Sequence, residues 1–176
     1  FNSNYKISQK EFHIWMKLLT KIEGSVLWLY KSNQWSLKNL SKEAIKRNVD
    51  PDRLIFADNL PLNKHLARHS LGDLALDTFN CNGHTTTSDA LWGGLPVLTK
   101  IGESFASRVS ASLLTSIGLP ELITYSEKEY EEKALSIARN PNKLMKLKSR
   151  LSDLKDTSSL FNSELFTKDL ENKLIE

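Results

Sequence analysis

The sequence predicts a parallel α/β fold, a central sheet with helices on both faces, and three observations carry that prediction. Short apolar runs alternate with segments of helical period through the first two thirds of the chain, the pattern of strand–helix–strand units. The apolar runs, such as Ser25 to Tyr30 and Pro96 to Thr99, are continuous rather than alternating, as strands covered on both faces are. The connections are short, with no internal repeat and no low-complexity linker. At 176 residues and 20.0 kDa the chain is one domain's worth, large enough to bury about 70% of its unfolded surface without a disulfide or metal staple.

In chain order, Ser8 and Glu11 form a capping box, the serine oxygen taking one orphan amide and the glutamate reaching back to another. Phe12, Trp15, Met16, Leu19 and Ile22 follow at helical spacing, and Gly24 ends the helix. A strand over 25–30 precedes a helix over 36–48 with Leu37, Leu40, Ala44 and Ile45 on one side. Asp50 and Pro51 make a cap or turn before a strand over 53–57. A short helix spans 62–70, and Leu74 to Asp77 is a strand ending in a carboxylate. The run Gly83 to Asp89 leads into a helix that reaches Trp92, and Pro96 to Thr99 is the next strand. One helix occupies 103–117, stopped by Gly118 and Pro120. Ser126 and Glu129 form a second capping box, for a helix over 127–139 that Pro141 breaks. Helix resumes over 142–155, a loop covers 156–159, and a last helix covers 163–174.

Composition excludes several classes. A single cysteine, Cys81, leaves no disulfide framework and no Cys-based zinc site, and fits a reducing, cytoplasmic compartment. No run is apolar over the roughly 18 residues a membrane span needs. The chain opens on Phe1 rather than Met, so it reads as a fragment of something longer. Twenty-four Lys and Arg against 21 Asp and Glu leave a net charge of +3, without the clustered basic patch of a nucleic-acid binder. The densest basic run, Lys143 to Arg150, interleaves with Leu144, Leu147, Leu151 and Leu154. That spacing fits the solvated face of an amphipathic helix better than an RNA- or membrane-binding surface.

In parallel sheets ligands sit beyond the carboxyl ends of the strands, which directs attention to the loops 1–8, 57–65, 77–89 and 99–104. The 77–89 loop is the most unusual stretch. Asn82 and Gly83 permit a positive φ and a sharp turn after the strand. His84, Thr85 and Thr86 then open a helix whose free amides and positive dipole end suit an anion or diphosphate. Asp89, one turn on, is placed to accept hydrogen bonds from a ribose. An ordinary Ser/Thr cap with a surface histidine is the competing reading. Cys81 has no recognisable supporting base and reads as small-residue packing. Asp50 and Asp52 have the D-x-D form of metal-dependent sugar transferases, but they precede a strand at the end opposite the ligand crevice, where a turn is expected. His65 and His69 are spaced i, i+4 without the acidic base of an H-E-x-x-H zinc motif. His13 falls among core positions and reads as structural. Neither G-x-G-x-x-G nor a Walker loop is present, which speaks against nicotinamide dehydrogenases and NTPases.

Taken together and in order, a series of segments resembles the protein O-GlcNAc transferase family. They are Phe1 to Ile7 (FNSNYKI), Arg53 to Phe56, Leu76 to Thr78 with Cys81 to Thr86 (CNGHTT) and Asp89, then Leu91, Trp92, Gly94 and Pro96, then Ser107 to Ser112 (SRVSAS). The likeness continues through Glu121 to Ile123, Glu129 to Glu131 and Ser159 to Asn162, and so covers nearly the whole chain. CNGHTT is its specific piece; each of the others alone is weak.

The resemblance implies the C-terminal half of a GT-B fold, a Rossmann-like lobe that holds the nucleotide-sugar donor, in a parent that usually carries tetratricopeptide repeats. Residues 1–140 would be the UDP-binding lobe and 141–176 the C-terminal helices packed on it. By the same resemblance Lys6 contacts the donor diphosphate and stabilises the leaving group. His84, Thr85 and Thr86 bind the phosphates, Asp89 holds the ribose, His65 and Arg68 lie near the uracil, and Leu60 reads the base through its backbone. The implied reaction is an inverting transfer of N-acetylglucosamine from UDP-GlcNAc to Ser or Thr hydroxyls of proteins, with no metal and no other cofactor. The implied partners are that donor, the N-terminal lobe and repeats of the parent, and protein acceptors, with no nucleic acid or membrane. Leu62 stands where the family often has a lysine and Ser3 where it often has a glutamine. Those departures leave open a non-catalytic nucleotide-binding module, or a transferase using another nucleotide sugar. The strand expected just before Phe1 lies outside this chain, so one position of the sheet is empty or filled by something else.

Overall fold

In the computed structural model, which describes residues 2–175, the apolar runs become short strands and every pairing between them is parallel. Phe1, with which the FNSNYKI segment begins, lies outside the described residues, as does Glu176. β1 (Leu27–Tyr30) pairs with β2 (Leu54–Ala57), placing Leu27 opposite Leu54 and Tyr30 opposite Ala57. β3 (Ala75–Leu76) pairs with β4 (Val97–Lys100), which pairs on its other edge with β5 (Ile123–Thr124). β5 is not foreseen by the sequence reading, because two residues carry no periodicity.

Successive residues of β4 face opposite sides of the sheet, and each side has its own core. Val97 packs with residues of α4 (Thr85–Trp92), α5 (Val109–Ile117) and α7 (Pro141–Thr157). Leu98 packs with α1 (Gln9–Lys21) and with Tyr130 and Ala134 of α6 (Glu127–Ala138). Helices thus cover both faces, as the continuous apolar strands require. α2 (Gln34–Ile45) and α3 (Leu62–Arg68) follow β1 and β2, and α8 (Ser163–Ile175) closes the chain with no buried residue.

Local signals hold well at helix starts. Ser8 and Glu11 form the foreseen capping box, with the Ser8 N–H donating to Glu11 Oε1. The second box is only half made: Ser126 Oγ accepts from the Glu129 N–H at 3.1 Å, but the Glu129 carboxylate takes the amide of Tyr125 instead. Pro141 is the first residue of α7 rather than a mere break, with Asn140 as its cap. In that helix Leu147 and Leu151 are buried, and Lys148 reaches the Gly72 carbonyl at 2.6 Å.

Four expectations are corrected. α1 ends at Lys21, before Gly24, which takes φ +71 in the following turn. Ile45 is exposed, so α2 buries less than its pattern indicated. The helix expected over 103–117 is a 3-10 turn over Phe105–Ser107 followed by α5, because Gly102 lies so close to Ser107 that the turn closes there. His13 faces solvent on α1, between the buried Phe12 and Ile14, and is no part of the core.

Candidate functional site

The loop that leaves β3 is tied down by one carboxylate. Asp77 is 3% exposed and gathers donors from three segments. Its Oδ1 accepts from the amides of Thr78 and Gly83 at 2.9 and 2.7 Å and from Asn2 Nδ2 at 3.2 Å. Its Oδ2 accepts from Thr99 Oγ1 of β4 at 2.7 Å. Burial pushes the Asp77 carboxyl above its ordinary range, while these hydrogen bonds oppose that shift. Asn82, fully buried, donates through Nδ2 to the Thr78 carbonyl at 2.7 Å and through its amide to the Ala106 carbonyl at 2.8 Å.

Gly83 is needed for close approach and not for a positive φ, which corrects the sequence reading. A Cβ there would stand 2.4 Å from Thr87 Oγ1 and 2.8 Å from Thr86 Oγ1. Ser110 of α5 completes the brace, donating to the Gly83 carbonyl and bonding Thr87 Oγ1 at 2.8 Å. The chain therefore enters α4 along a fixed path.

At that entrance His84 occupies the cap position, yet no side chain caps the helix. The amides of Thr87 and Ser88 turn back to the His84 carbonyl. Those of Thr85 and Thr86 make no hydrogen bond among the described residues and sit at the positive end of the helix dipole. The ordinary Ser/Thr cap is thus not what the structure has. His84 is half-buried, its Nε2 3.3 Å from the Ala106 carbonyl and its ring edge-on to Phe105. Lys6, on a 3-10 turn over Asn4–Lys6, reaches the same loop and donates from Nζ to the Asn82 carbonyl at 2.8 Å. An ammonium has two further donors. Asn2 closes the group by accepting from Thr86 Oγ1 at 2.6 Å.

A second cluster lies one turn along α4. His65 Nε2 is 3.9 Å from Asp89 Oδ2, and its Nδ1 faces Arg68 Nη2 at 2.7 Å. Arg68 is 8% exposed and also donates to the Asp58 carbonyl at 2.7 Å, which anchors the loop carrying Leu60. Burial lowers the His65 pKa, and the neighbouring Arg68 charge lowers it further, against the pull of Asp89. His69, 2% exposed, is lowered by burial as well. Gly93 makes this packing possible, since a Cβ there would lie 2.6 Å from His69 Cβ.

The structure thus brings Lys6, His84, Thr85 and Thr86 to one edge and His65, Arg68 and Asp89 to a neighbouring one. Leu60 and Leu62 stay exposed at 37% and 66%, in the loop and at the start of α3. The D-x-D pair is a turn: Asp50 Oδ1 caps the Asp52 amide at 2.9 Å, just before β2. Among the described residues no cluster of three or more His, Cys, Asp or Glu could hold a metal. The sequence reading placed Asn2 and Asp77 within segments of the resemblance, and Asp77 at a strand end, but gave neither a role in the site. The signal for Asp77 was its place, a carboxylate directly after an apolar run.

The family model for glycosyl transferase family 41 matches residues 1–170. The chain belongs to that family. Among family 41 relatives, the UDP-N-acetylglucosamine–peptide N-acetylglucosaminyltransferase of Caenorhabditis elegans is 34% identical over 99% of this chain, which spans 15% of that protein. The probable UDP-N-acetylglucosamine–peptide N-acetylglucosaminyltransferase SEC of Arabidopsis thaliana is 38% identical over 97% of the chain, spanning 18% of its length. A solved structure of a Thermobaculum terrenum O-GlcNAc transferase, mutant K341M, superposes with a TM-score of 0.93 at 30% identity. That match covers 99% of this chain and 34% of the other. The fold is accordingly the C-terminal part of the GT-B fold of these transferases, ending in helices.

Proposed function

We propose that this chain is the donor-binding lobe of an inverting glycosyltransferase that moves N-acetylglucosamine from UDP-GlcNAc to Ser and Thr hydroxyls of proteins without a metal ion. The names of its family 41 relatives support the donor and the class of acceptor. The observation that carries the reading in this chain is the uncapped start of α4, with two available amides beside His84 and Lys6. As a glycosidic bond to a diphosphate breaks, negative charge grows on the leaving phosphate. Fixed amides and an ammonium are placed to stabilise that charge more in the transition state than in the ground state. His65, Arg68 and Asp89 take the nucleoside, with Leu60 offering its backbone to the base. Residues 1–140 form this donor lobe, and 141–176 pack on it through Leu147 and Leu151. The acceptor and its base come from a preceding lobe of the parent, in a reducing, cytoplasmic setting. The test is calorimetric titration of the full-length parent with UDP, UDP-GlcNAc, GDP-fucose and NADH. Binding of both uridine ligands with none of NADH supports the reading; NADH binding without UDP binding sinks it.

Leu62 favours a second reading, a lobe that binds nucleotide weakly and no longer turns over. It stands exposed at the start of α3, where the resemblance expects a lysine. A gain in UDP affinity and transfer on Leu62→Lys, from a baseline with no transfer, would select that reading.

A further inference from the structure

One turn holds the imidazole of His84. The Ala106 carbonyl, on the 3-10 turn over Phe105–Ser107, lies 3.3 Å from Nε2, and the same oxygen accepts the Asn82 amide at 2.8 Å. Phe105 meets the ring edge-on, with centroids 6.2 Å apart. The turn is itself closed, since the Gly102 amide donates to the Ser107 carbonyl at 2.9 Å and Ser107 Oγ to the Ser104 carbonyl at 3.0 Å. The ring therefore has a fixed partner on one side and the entrance of α4 on the other.

A carbonyl oxygen only accepts, so Nε2 must carry a proton and donate it to Ala106. In the neutral ring the second nitrogen, Nδ1, then holds a bare lone pair, and it makes no hydrogen bond among the described residues. The oxygens of a diphosphate diester also only accept. Neutral His84 would set lone pair against lone pair. The imidazolium, with a proton on each nitrogen, can keep the Ala106 contact and donate to a phosphate as well. Turning the ring over changes nothing, because whichever nitrogen faces Ala106 must donate.

The charges around His84 explain when that proton arrives. Lys6, whose Nζ reaches the Asn82 carbonyl at 2.8 Å, opposes a second positive charge in the loop, as does the positive end of the α4 dipole. Asp77 holds the adjacent Gly83 amide at 2.7 Å, and Asp89, further along α4, faces His65 at 3.9 Å. Glu103 and Arg108 stand on either side of the Phe105–Ser107 turn. An incoming diphosphate diester adds two negative charges, of which Lys6 balances one. Given the donor-lobe reading, on which this rests, we infer that His84 takes up a proton as the diphosphate binds and holds it as an imidazolium, so that donor affinity falls as pH rises. The same charge then faces the leaving phosphate beside Lys6.

The test is calorimetry of the full-length parent with UDP-GlcNAc in buffers of different ionisation enthalpy, which counts the protons exchanged on binding. UDP-GlcNAc is the probe because its diphosphate is esterified at both ends and does not titrate near neutrality, whereas the terminal phosphate of UDP does. The expected result at about pH 7.5 is net uptake approaching one proton per ligand, with a dissociation constant that rises toward 10-fold per unit between about pH 7.5 and 8.5. His84→Asn, which keeps a neutral N–H donor near the place of Nδ1, should lose both the uptake and the pH dependence. No uptake by the unmodified parent, a dissociation constant flat with pH, or uptake that persists in His84→Asn overturns the inference. If that variant binds too weakly to titrate, histidine ¹⁵N spectra of the unmodified parent decide. The His84 signal, identified by its absence from the free variant's spectrum, must move to the doubly protonated position on adding UDP-GlcNAc, and a ring left neutral with donor bound overturns the inference too. Binding of NADH in place of UDP-GlcNAc would sink the donor reading alone, and the same uptake measured with NADH, also a diphosphate diester, would uphold the imidazolium.

Discussion

Lys6 donates to the Asn82 carbonyl and His84 stands two residues further on in the same loop, and neither is part of the hydrophobic core. On the proposed reading, removing either takes away one contact to a bound diphosphate and leaves the two core clusters alone. Lys6→Ala and His84→Ala in the full-length parent should each weaken UDP by about 1–3 kcal/mol, roughly 5- to 150-fold by calorimetry. His13→Ala should change neither UDP affinity nor the melting temperature, because that side chain lies in solvent. Equal losses of binding in all three variants would mean misfolding rather than lost contacts. At this scale the sequence placed His84, Thr85 and Thr86 at a helix start, a local fact that the structure also has. It was a poor guide to His13, since helical spacing places a residue on a face only to within a few tens of degrees.

Between elements, the packing of α3 against α4 rests on Gly93, and two predictions follow its geometry. Gly93→Ala would put a methyl 2.6 Å from His69 Cβ and 2.9 Å from the Leu66 carbonyl. The backbone contact cannot swing aside, so we expect a loss of about 1–3 kcal/mol in denaturant melts together with weaker UDP binding. Unchanged stability would show that α3 does not pack this closely on α4. His65 and His69, packed edge-on in the same contact, both have lowered pKa values. The depression means that just below the ordinary histidine value of 6.5 the unfolded chain binds protons that the folded one does not. Stability is therefore full above pH 6.5 and is lost as pH falls from there toward the folded pKa values. Thermal melts of the wild type should drop between about pH 7.5 and 5.5, and His69→Asn should flatten that slope. A wild-type melting temperature that rises over the same acid interval would contradict the assignment.

For the molecule as a whole, the accessible surface is 10305 Å², where a compact 20.0 kDa chain exposes about 8,700 Å². The open cavity beside β3 and the unburied α8 account for part of that excess. On the proposed reading, its site groups surround only the nucleotide side of a transfer. The hydroxyl must also be held within about 3–3.5 Å of the reacting carbon. The 176-residue chain by itself should bind UDP weakly and transfer nothing to protein acceptors, while the full-length parent should bind UDP more tightly and transfer. Transfer by the isolated chain would require a base within it, with His65 the first to mutate. Chelation should leave UDP affinity as it is, because Asp50 is already spent on its own turn. Tighter UDP binding with added Mn²⁺, reversed by EDTA, would overturn the metal-independent reading.

Sequence by itself determined the class of the fold, the order of its elements apart from β5, and the helix start at His84, Thr85 and Thr86. These follow from local rules: which runs are apolar, where a helix can start, and what the spacing of Ser8 and Glu11 or the arrival of His84, Thr85 and Thr86 imposes on adjacent backbone. Tertiary structure decided what those rules cannot reach. Asp77 is a hub because Asn2, Gly83 and Thr99, far apart in the chain, converge on it. Gly83 is a glycine because Thr86 and Thr87 of the following turn crowd it, and Gly93 because His69 and Leu66 do, which no dihedral preference announces. β5 exists because β4 offers it an edge. The Asp77 hub and β5 are long-range satisfactions of backbone or buried polar groups, and such groups choose their partners by where the fold puts them, not by what lies next to them in the sequence.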